Sequence, residues 1–275
     1  MANEVVQAKG TALSADIMSD LMQDSGEGTV FNSDEMQIPY IRLAQAMSPQ
    51  VTKGDGKFIK GLAAGDIFNN LTNEYWDGET GLKVIPCYLV TKYIEWIPME
   101  KGGGFVQEIP PGDPVIGKVV REQDPVRDVL PNGNEMVVTD NIFCLVMNAD
   151  GALQPAIMDM KVTQLKVSRR WKTQLAMMPP LEVTHEDKVV KWKPPSFGSV
   201  WNVTAVTETN KNNKTYFNYN IQRDQILNPF LNPEDKEIYD EAKLFHQSVK
   251  DGEVKATHIP EETPTAPLKD DDIPF

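Results

Sequence analysis

Two apolar strands joined by an Asp-Gly turn constrain the fold of this chain more than any other feature. The runs 136–147 and 153–160 have the length and apolar content of strands, and Asn148 to Gly151 lies between them. The pair Asp150-Gly151 supplies the positive φ that a tight hairpin needs. The sequence therefore predicts a β-hairpin, and with it a mainly β domain.

Two further segments alternate in the way that strands do. Residues 82–97 place apolar side chains on both faces, which predicts one long strand, and Pro86 within it favours an edge or a bulge. Residues 200–209 and 215–222 alternate around the polar, basic loop 210–214, which predicts a second hairpin. With the first hairpin, these strands make a five-stranded set.

One amphipathic helix is expected between the two hairpins. Residues 161–178 carry apolar side chains at helical spacing, and Pro179-Pro180 stops the pattern. The apolar stripe consists of Val167, Trp171, Leu175 and Met178. A terminal helix is predicted over residues 233–248, after a proline-rich break.

The order of these elements is that of an OB-fold. This five-stranded barrel binds oligonucleotides with its middle strands and with the loops that join strands one to two and four to five. The first loop corresponds to residues 98–135, rich in Gly and Pro with one short strand expected at 115–120, and the second to 210–214. We therefore expect an OB-like DNA-binding domain with insertions over residues 37–228, followed by a helical segment over 229–250.

The net charge of −13 is concentrated at the two ends of the chain. Residues 1–36 hold seven acidic residues and one lysine, and residues 251–275 hold seven acidic and two basic residues. Residues 37–250 are nearly neutral at −2, so the overall charge does not exclude nucleic acid. We expect a flexible acidic arm over residues 1–36 and a disordered, proline-rich linker over 251–269.

The last six residues combine an acidic run with bulky apolar side chains. Carboxylates steer such a segment toward basic surfaces, Phe275 can fill an apolar pocket, and the α-carboxylate can take a bidentate arginine contact. A tail that served only solubility would avoid the exposed Ile273 and Phe275. The sequence therefore predicts a partner-docking tip made of Asp270, Asp271, Asp272, Ile273, Pro274 and Phe275.

All six of these residues resemble the C-terminal tip of bacterial single-stranded DNA-binding proteins, which end in Asp-Asp-Asp-Ile-Pro-Phe after a flexible linker. In that family the tip docks polymerase clamp-loader, helicase, recombination and nuclease partners, and the resemblance implies the same for residues 270–275. The bacterial proteins begin directly with a compact OB domain, whereas this chain begins with an acidic arm and carries long insertions. It therefore looks like a phage-encoded single-stranded DNA-binding protein with a host-type tip.

Single strands are held by cations that follow the phosphates and by aromatic faces on which bases stack. The amphipathic helix, the second hairpin and the stretch around Trp192 supply both residue types, and the first long strand adds Trp96. The candidate DNA-binding residues are Trp96, Lys166, Arg169, Arg170, Lys191, Trp192, Lys211, Lys214, Tyr216, Phe217, Tyr219 and Arg223.

Several of these residues have a second, structural interpretation. The cations of the helix equally suit a solvated outer face, and Trp96 suits burial in the first strand. Tyr216 and Phe217 are neighbours on a strand and point to opposite faces. Either Tyr216, or Phe217 together with Tyr219, can therefore stack on bases while the other set packs in the core.

No catalytic or metal-binding pattern stands out in the sequence. The three histidines, His185, His246 and His258, lie far apart and lack metal-ligand spacing, and neither a GxxxxGK[ST] loop nor a GxSxG elbow occurs. Cys87 and Cys144 lie in apolar runs and are expected to be buried thiols. We therefore expect no enzymatic activity, no cofactor and no metal.

A cytoplasmic location is expected, in the host cell for a phage protein, because the sequence shows no secretory leader and no apolar run of membrane-spanning length. The sequence favours sequence-independent binding and protection of single-stranded DNA during replication, recombination and repair. Two alternatives use the same features. A recombination mediator or annealing protein would load or pair strands, and a decoy would bind the tip's partners without touching DNA.

Overall fold

The computed structural model describes residues 37–123, 126–185, 188–210 and 213–256. The predicted acidic arm 1–36, most of the linker, the tip 270–275 and the candidate Lys211 lie outside the described residues. All statements below refer to the described part of the chain.

Thirteen strands and two α-helices occur in that part, so the prediction of a mainly β protein is confirmed. The helices are α1, Gln164–Ala176, and α2, Pro233–Lys250. The strands are β1 Ile41–Leu43, β2 Ile67–Asn69, β3 Tyr75–Trp76, β4 Leu82–Ile97, β5 Gly104–Ile109, β6 Val120–Gln123, β7 Val126–Val129, β8 Glu135–Met147, β9 Leu153–Lys161, β10 Leu181–His185, β11 Lys188–Trp192, β12 Ser199–Thr209 and β13 Thr215–Ile226.

The long strand β4 is the centre of the largest sheet. One of its edges pairs with β8 along nearly its whole length, while the other pairs first with β12 and then with β5. All of these pairings are antiparallel, and the two predicted hairpins are β8–β9 and β12–β13. The register shifts between Pro86 and Tyr88, which confirms the bulge that Pro86 favours.

The two outer strands of this sheet, β9 and β13, are not paired with each other in the described part of the chain. The segment around β1 lies between them instead: Ile157 N–H donates to Pro39 O at 2.9 Å, and the Gln45 side-chain amide exchanges hydrogen bonds of 3.0 and 2.9 Å with the Phe217 backbone. Among the described residues no closed five-stranded barrel forms by backbone pairing, because this segment occupies the edges where closure would occur.

Each face of the sheet is covered by one helix. The first core contains Ile142, Met158 and Trp201 and is covered by α1 through Trp171 and Leu175. The second core lies on the opposite face, where α2 packs on the side chains of the middle strands. Its main members are Ile85, Phe143, Leu145, Ile157, Ala242, Phe245 and Val249.

The insertion between β4 and β8 folds into an arm of three strands, β5, β6 and β7. The strand predicted at 115–120 is wrong, since Ile116–Lys118 is a single 3₁₀ turn and only Val120 begins a strand. That turn packs its apolar residues on Ile109, Leu130 and Met136, which form the small core of the arm.

Candidate nucleic-acid interface

A buried carboxylate fixes helix α1 on the sheet. Asp140 of β8 is 3% exposed and accepts hydrogen bonds from Thr91 Oγ1 at 2.6 Å and Ser168 Oγ at 2.7 Å. Lys172 Nζ lies 2.6 Å from the same carboxylate. Burial opposes the ionisation of Asp140, but these three donors outweigh it and hold its pKa below the ordinary value. Lys172 therefore helps to hold α1 against the sheet.

The other cations of α1 point to solvent. Lys166, Arg169 and Arg170 are exposed, and within the described residues none of them has an ion-pair partner. Lys166, Arg170 and Gln174 follow one another at intervals of four residues, so they form one stripe along the helix. This stripe faces the hairpin β12–β13.

A groove runs between α1 and the hairpin and encloses a cavity of about 150 Å³. The helix contributes the stripe described above together with Val167 and Trp171, and the hairpin contributes residues of both of its strands. The hairpin residues that line the groove are Val206, Glu208, Tyr219, Asn220 and Ile221. Lys166 and Arg170, predicted from the helix, thus share one surface with the predicted hairpin.

Two polar atoms of residues that line the groove have no hydrogen-bond partner among the described residues. They are the indole Nε1 of Trp171, a side chain only 1% exposed, and Oε1 of Gln174. Trp171 is fixed by an edge-to-face contact with Trp201 at 5.9 Å between ring centroids. Unpaired buried polar atoms are uncommon in folded proteins, and an ordered water or a bound group commonly supplies the missing partner.

One carboxylate lies in this basic groove. Glu208 Oε2 accepts a hydrogen bond from Tyr216 O–H at 2.7 Å and another from Asn218 Nδ2 at 3.2 Å. These two bonds, with a smaller effect from the nearby charge of Lys166, lower the pKa of Glu208. Glu208 therefore adds a fixed negative charge to the edge of the groove, near Lys166.

The aromatic residues of β13 divide between the two faces as the alternation requires. Tyr219 is 4% exposed, its hydroxyl donates to Ile41 O at 3.4 Å, and burial raises the pKa of its phenol. Phe217 packs half-buried against the same core, while Tyr216 lies on the opposite face with Glu208. Tyr219 was among the candidate stacking residues, but the segment around β1 covers its ring, so this interpretation is corrected.

Two cations of the hairpin remain exposed. Lys214 is the last residue of the loop 210–214, and Arg223 lies opposite Trp201 in the register of β12 and β13. No ion pair occupies either of them in the described part of the chain. Both are able to extend a path of positive charge along the hairpin.

Lys191 and Trp192 lie outside the groove, on the small sheet of β10 and β11. The Trp192 ring makes edge-to-face contacts with Phe230 at 5.2 Å and Tyr239 at 6.0 Å, so it joins this sheet to α2. Lys191 Nζ lies 3.8 Å from Glu182. Trp192 therefore has packing contacts in the fold, and its predicted contact with DNA stays a prediction.

Trp96 is also remote from the groove. It packs edge to face on Phe105 at 5.8 Å, near the end of β4 that carries the arm. The strand β12 pairs with the opposite end of β4, at Leu82–Val84, which is about 40 Å away along the strand. Trp96 and the β12–β13 hairpin are therefore not brought together.

Sequence reasoning missed Gln174, Glu208 and Asn220. The spacing of four from Arg170 was the available signal for Gln174. Glu208 had no such signal, because its position opposite Tyr216 depends on the register of the hairpin, which the loop 210–214 does not specify. Asn220 enters the groove only because α1 packs against β13.

The cysteines and the possible metal-ligating side chains were also located in the structure. No group of three or more His, Cys, Asp or Glu side chains there is arranged to hold a metal ion. Cys87 and Cys144 are buried as predicted, and burial raises the pKa of Cys144 to about 12. Within the same residues, no helix is both long and apolar enough to cross a membrane.

Together these features define a mainly β protein with an open basic groove beside its last hairpin. Residues 8–255 match the family of Pam3 phage gp34-like proteins, and the chain belongs to this family. This membership indicates a phage protein. No curated protein and no solved structure matches the chain.

Proposed function

We propose that this protein binds single-stranded DNA without catalysis, in the groove between α1 and the β12–β13 hairpin, and that it recruits replication and repair proteins through residues 270–275. The observation that carries the proposal is the pair Lys166 and Arg170. These cations line the groove and have no ion-pair partner among the described residues.

The side chains of the groove are of the kinds that hold single strands. The exposed cations Lys166 and Arg170 line it and can contact phosphates, and Arg169 is exposed on the same helix. Tyr216 offers a half-exposed ring next to the groove for base stacking. Lys214 and Arg223 continue the positive path along the hairpin.

The topology supports an OB-like interpretation of the fold. Strands β4, β8, β9, β12 and β13 occur in OB order, with β4 between β8 and β12. We infer an open barrel in which β1 and α1 fill the gap between β9 and β13. The middle strands usually offer their outer face to nucleic acid, but here α2 covers that face, which favours the groove as the binding surface.

The tip supports the second half of the proposal. Residues 270–275 carry three carboxylate side chains and an aromatic residue, which suit a basic, apolar docking pocket on another protein. The segment from Lys250 to the tip is long enough for a partner to be held beside the DNA-bound body.

Fluorescence anisotropy tests this proposal. Labelled oligo-dT, a mixed-sequence strand and the matching duplex are titrated with the full chain and with a chain lacking residues 270–275, at two salt concentrations. We expect salt-sensitive preference for both single strands, retained after the deletion. If neither chain binds DNA, the proposal is wrong, and the tip is left as the working end of a partner-binding decoy.

A further inference from the structure

We infer that Glu208 makes the groove selective for bases that carry an exocyclic amino group, so that strands rich in cytosine bind more tightly than strands of thymine. This inference rests on the proposed DNA binding and adds base selectivity to it. It concerns the Glu208 carboxylate, which shares the groove with the stripe of Lys166, Arg170 and Gln174.

The position of the Glu208 carboxylate is fixed in advance. Both of its hydrogen bonds, from Tyr216 and Asn218, go to Oε2. Within the described residues Oε1 has no hydrogen-bond partner. An ionised carboxylate is a pure acceptor, so Oε1 is a rigidly held acceptor that belongs to a residue lining the groove.

Cytosine, adenine and thymine differ in what they offer to such an acceptor. Cytosine presents N4–H₂ and adenine presents N6–H₂, and both can donate to a carboxylate oxygen. Thymine presents O4 at the equivalent position, and this oxygen repels the carboxylate. Glu208 therefore attracts the amino groups of cytosine and adenine, and it repels O4 of thymine. Both effects favour the bases that carry an amino group.

The charges of the groove also fix which part of the strand faces Glu208. Phosphates are attracted to Lys166 and Arg170 on the helix and repelled by Glu208 on the hairpin. The backbone is thereby directed to the helix side, and a base enters the cavity of about 150 Å³ toward the hairpin. The unpaired Trp171 Nε1 and Gln174 Oε1 provide further polar groups among the residues that line this cavity.

The test compares oligo-dC with oligo-dT by anisotropy, at mildly alkaline pH where cytosine stays unprotonated. The full wild-type chain is measured beside Glu208→Gln and Glu237→Gln. Glu237 is exposed on α2, so its replacement removes the same charge outside the groove. Glutamine at 208 can still accept the bonds from Tyr216 and Asn218, and circular dichroism checks that the variant folds.

We expect wild type and Glu237→Gln to prefer dC, and the ratio of dC to dT affinity to fall about tenfold in Glu208→Gln, as for the loss of one charge-assisted hydrogen bond. Simple repulsion of phosphates by Glu208 would instead raise both affinities equally. An unchanged ratio, or equal binding of dC and dT by wild type, overturns the inference while leaving DNA binding intact. Absence of binding to either strand overturns the proposed function itself.

Discussion

Two arginines of this chain, Arg127 in the arm and Arg170 on α1, have opposite surroundings. Arg127 forms ion pairs with three carboxylates: Glu100, Glu122 at 2.6 Å and Glu135 at 3.1 Å. Hydrogen bonds from Arg127 to Glu100, and then to the other two, raise its pKa further. Arg170 has no such partner among the described residues.

The comparison distinguishes a cation that is paired with carboxylates of the fold from a cation that can still bind a phosphate. Arg127 links the turn after β4 to strands β6 and β8, and its positive charge is paired with their carboxylates. Arg170 and Lys166 are exposed and form no ion pair within the described residues, so a phosphate can neutralise their positive charge. A count of basic residues in the sequence does not distinguish a paired arginine such as Arg127 from an exposed one such as Arg170.

The largest change in the free energy of unfolding is expected from Asp140→Ala. This substitution removes the carboxylate that binds Lys172 and holds α1 on the sheet. Lys172 is one-third exposed and can turn to solvent, but the buried Ser168 hydroxyl loses its acceptor, so we expect a loss of about 2 kcal/mol. DNA affinity should fall with it because the helix carries the cations. Urea denaturation measures the first effect and anisotropy the second. Glu237→Ala, on the exposed face of α2, is the control and should change neither quantity.

A smaller loss of stability is expected from Arg127→Ala, with unchanged DNA affinity, because its three ion pairs join parts of the arm. The melting temperature should fall by several degrees. Arg121→Ala removes only the single ion pair with Asp128, at 2.9 Å, and should cost less. If Arg127→Ala keeps the stability of wild type but no longer binds DNA, Arg127 contributes to DNA binding and the distinction between the arm and α1 is wrong.

The arm should also respond to pH through Glu95. This carboxyl is 2% exposed, and burial opposes its ionisation, but amide donors from Asn134, Gln107 and Asn132 lower its pKa below the ordinary value of 4.5. Because the folded pKa is the lower one, Glu95 stabilises the fold above that ordinary value and loses this contribution as the pH falls through the folded pKa.

Unfolding by urea across the acidic range should therefore show a steeper loss of stability in wild type than in Glu95→Gln. The DNA affinity of the two chains should agree at neutral pH, since Glu95 is remote from the groove. If the free energy of unfolding falls equally with pH in wild type and in Glu95→Gln, the amides do not favour the ionised form of Glu95.

The smallest effect is expected from Tyr216→Phe, which removes the stronger hydrogen bond to Glu208 and leaves the carboxylate in place. The dC to dT ratio should fall by about twofold, because the acceptor is held less firmly. Total affinity should change little if stacking on the ring is retained. A large loss of affinity for both strands would instead assign the hydroxyl of Tyr216 a direct contact with DNA.

Local patterns carried much of the fold. The Asp150-Gly151 turn predicts the β8–β9 hairpin, and the spacing from Val167 to Leu175 predicts α1. The strands of the arm were missed, since β6 and β7 are short and polar and depend on partners such as Arg127 and Glu122.

The candidate site was predictable only in part, because it is made by packing. The residues Lys166 and Arg170 follow from the helix pattern, but their meeting with Glu208 depends on how α1 lies on β13. The covering of Tyr219 likewise depends on a segment far away in sequence, through Gln45 and Ile41. Long-range contacts of this kind leave no periodic signal in either partner.

The salt dependence of single-stranded DNA binding tests the central claim most directly. The double variant Lys166→Gln with Arg170→Gln is compared with Lys243→Gln with Lys250→Gln, which removes two exposed charges from α2. We predict that only the first lowers the slope of log affinity against log salt, by about 1.4 for two lost phosphate contacts. Equal slopes in wild type and both variants would contradict the assignment of the groove as the DNA-binding surface.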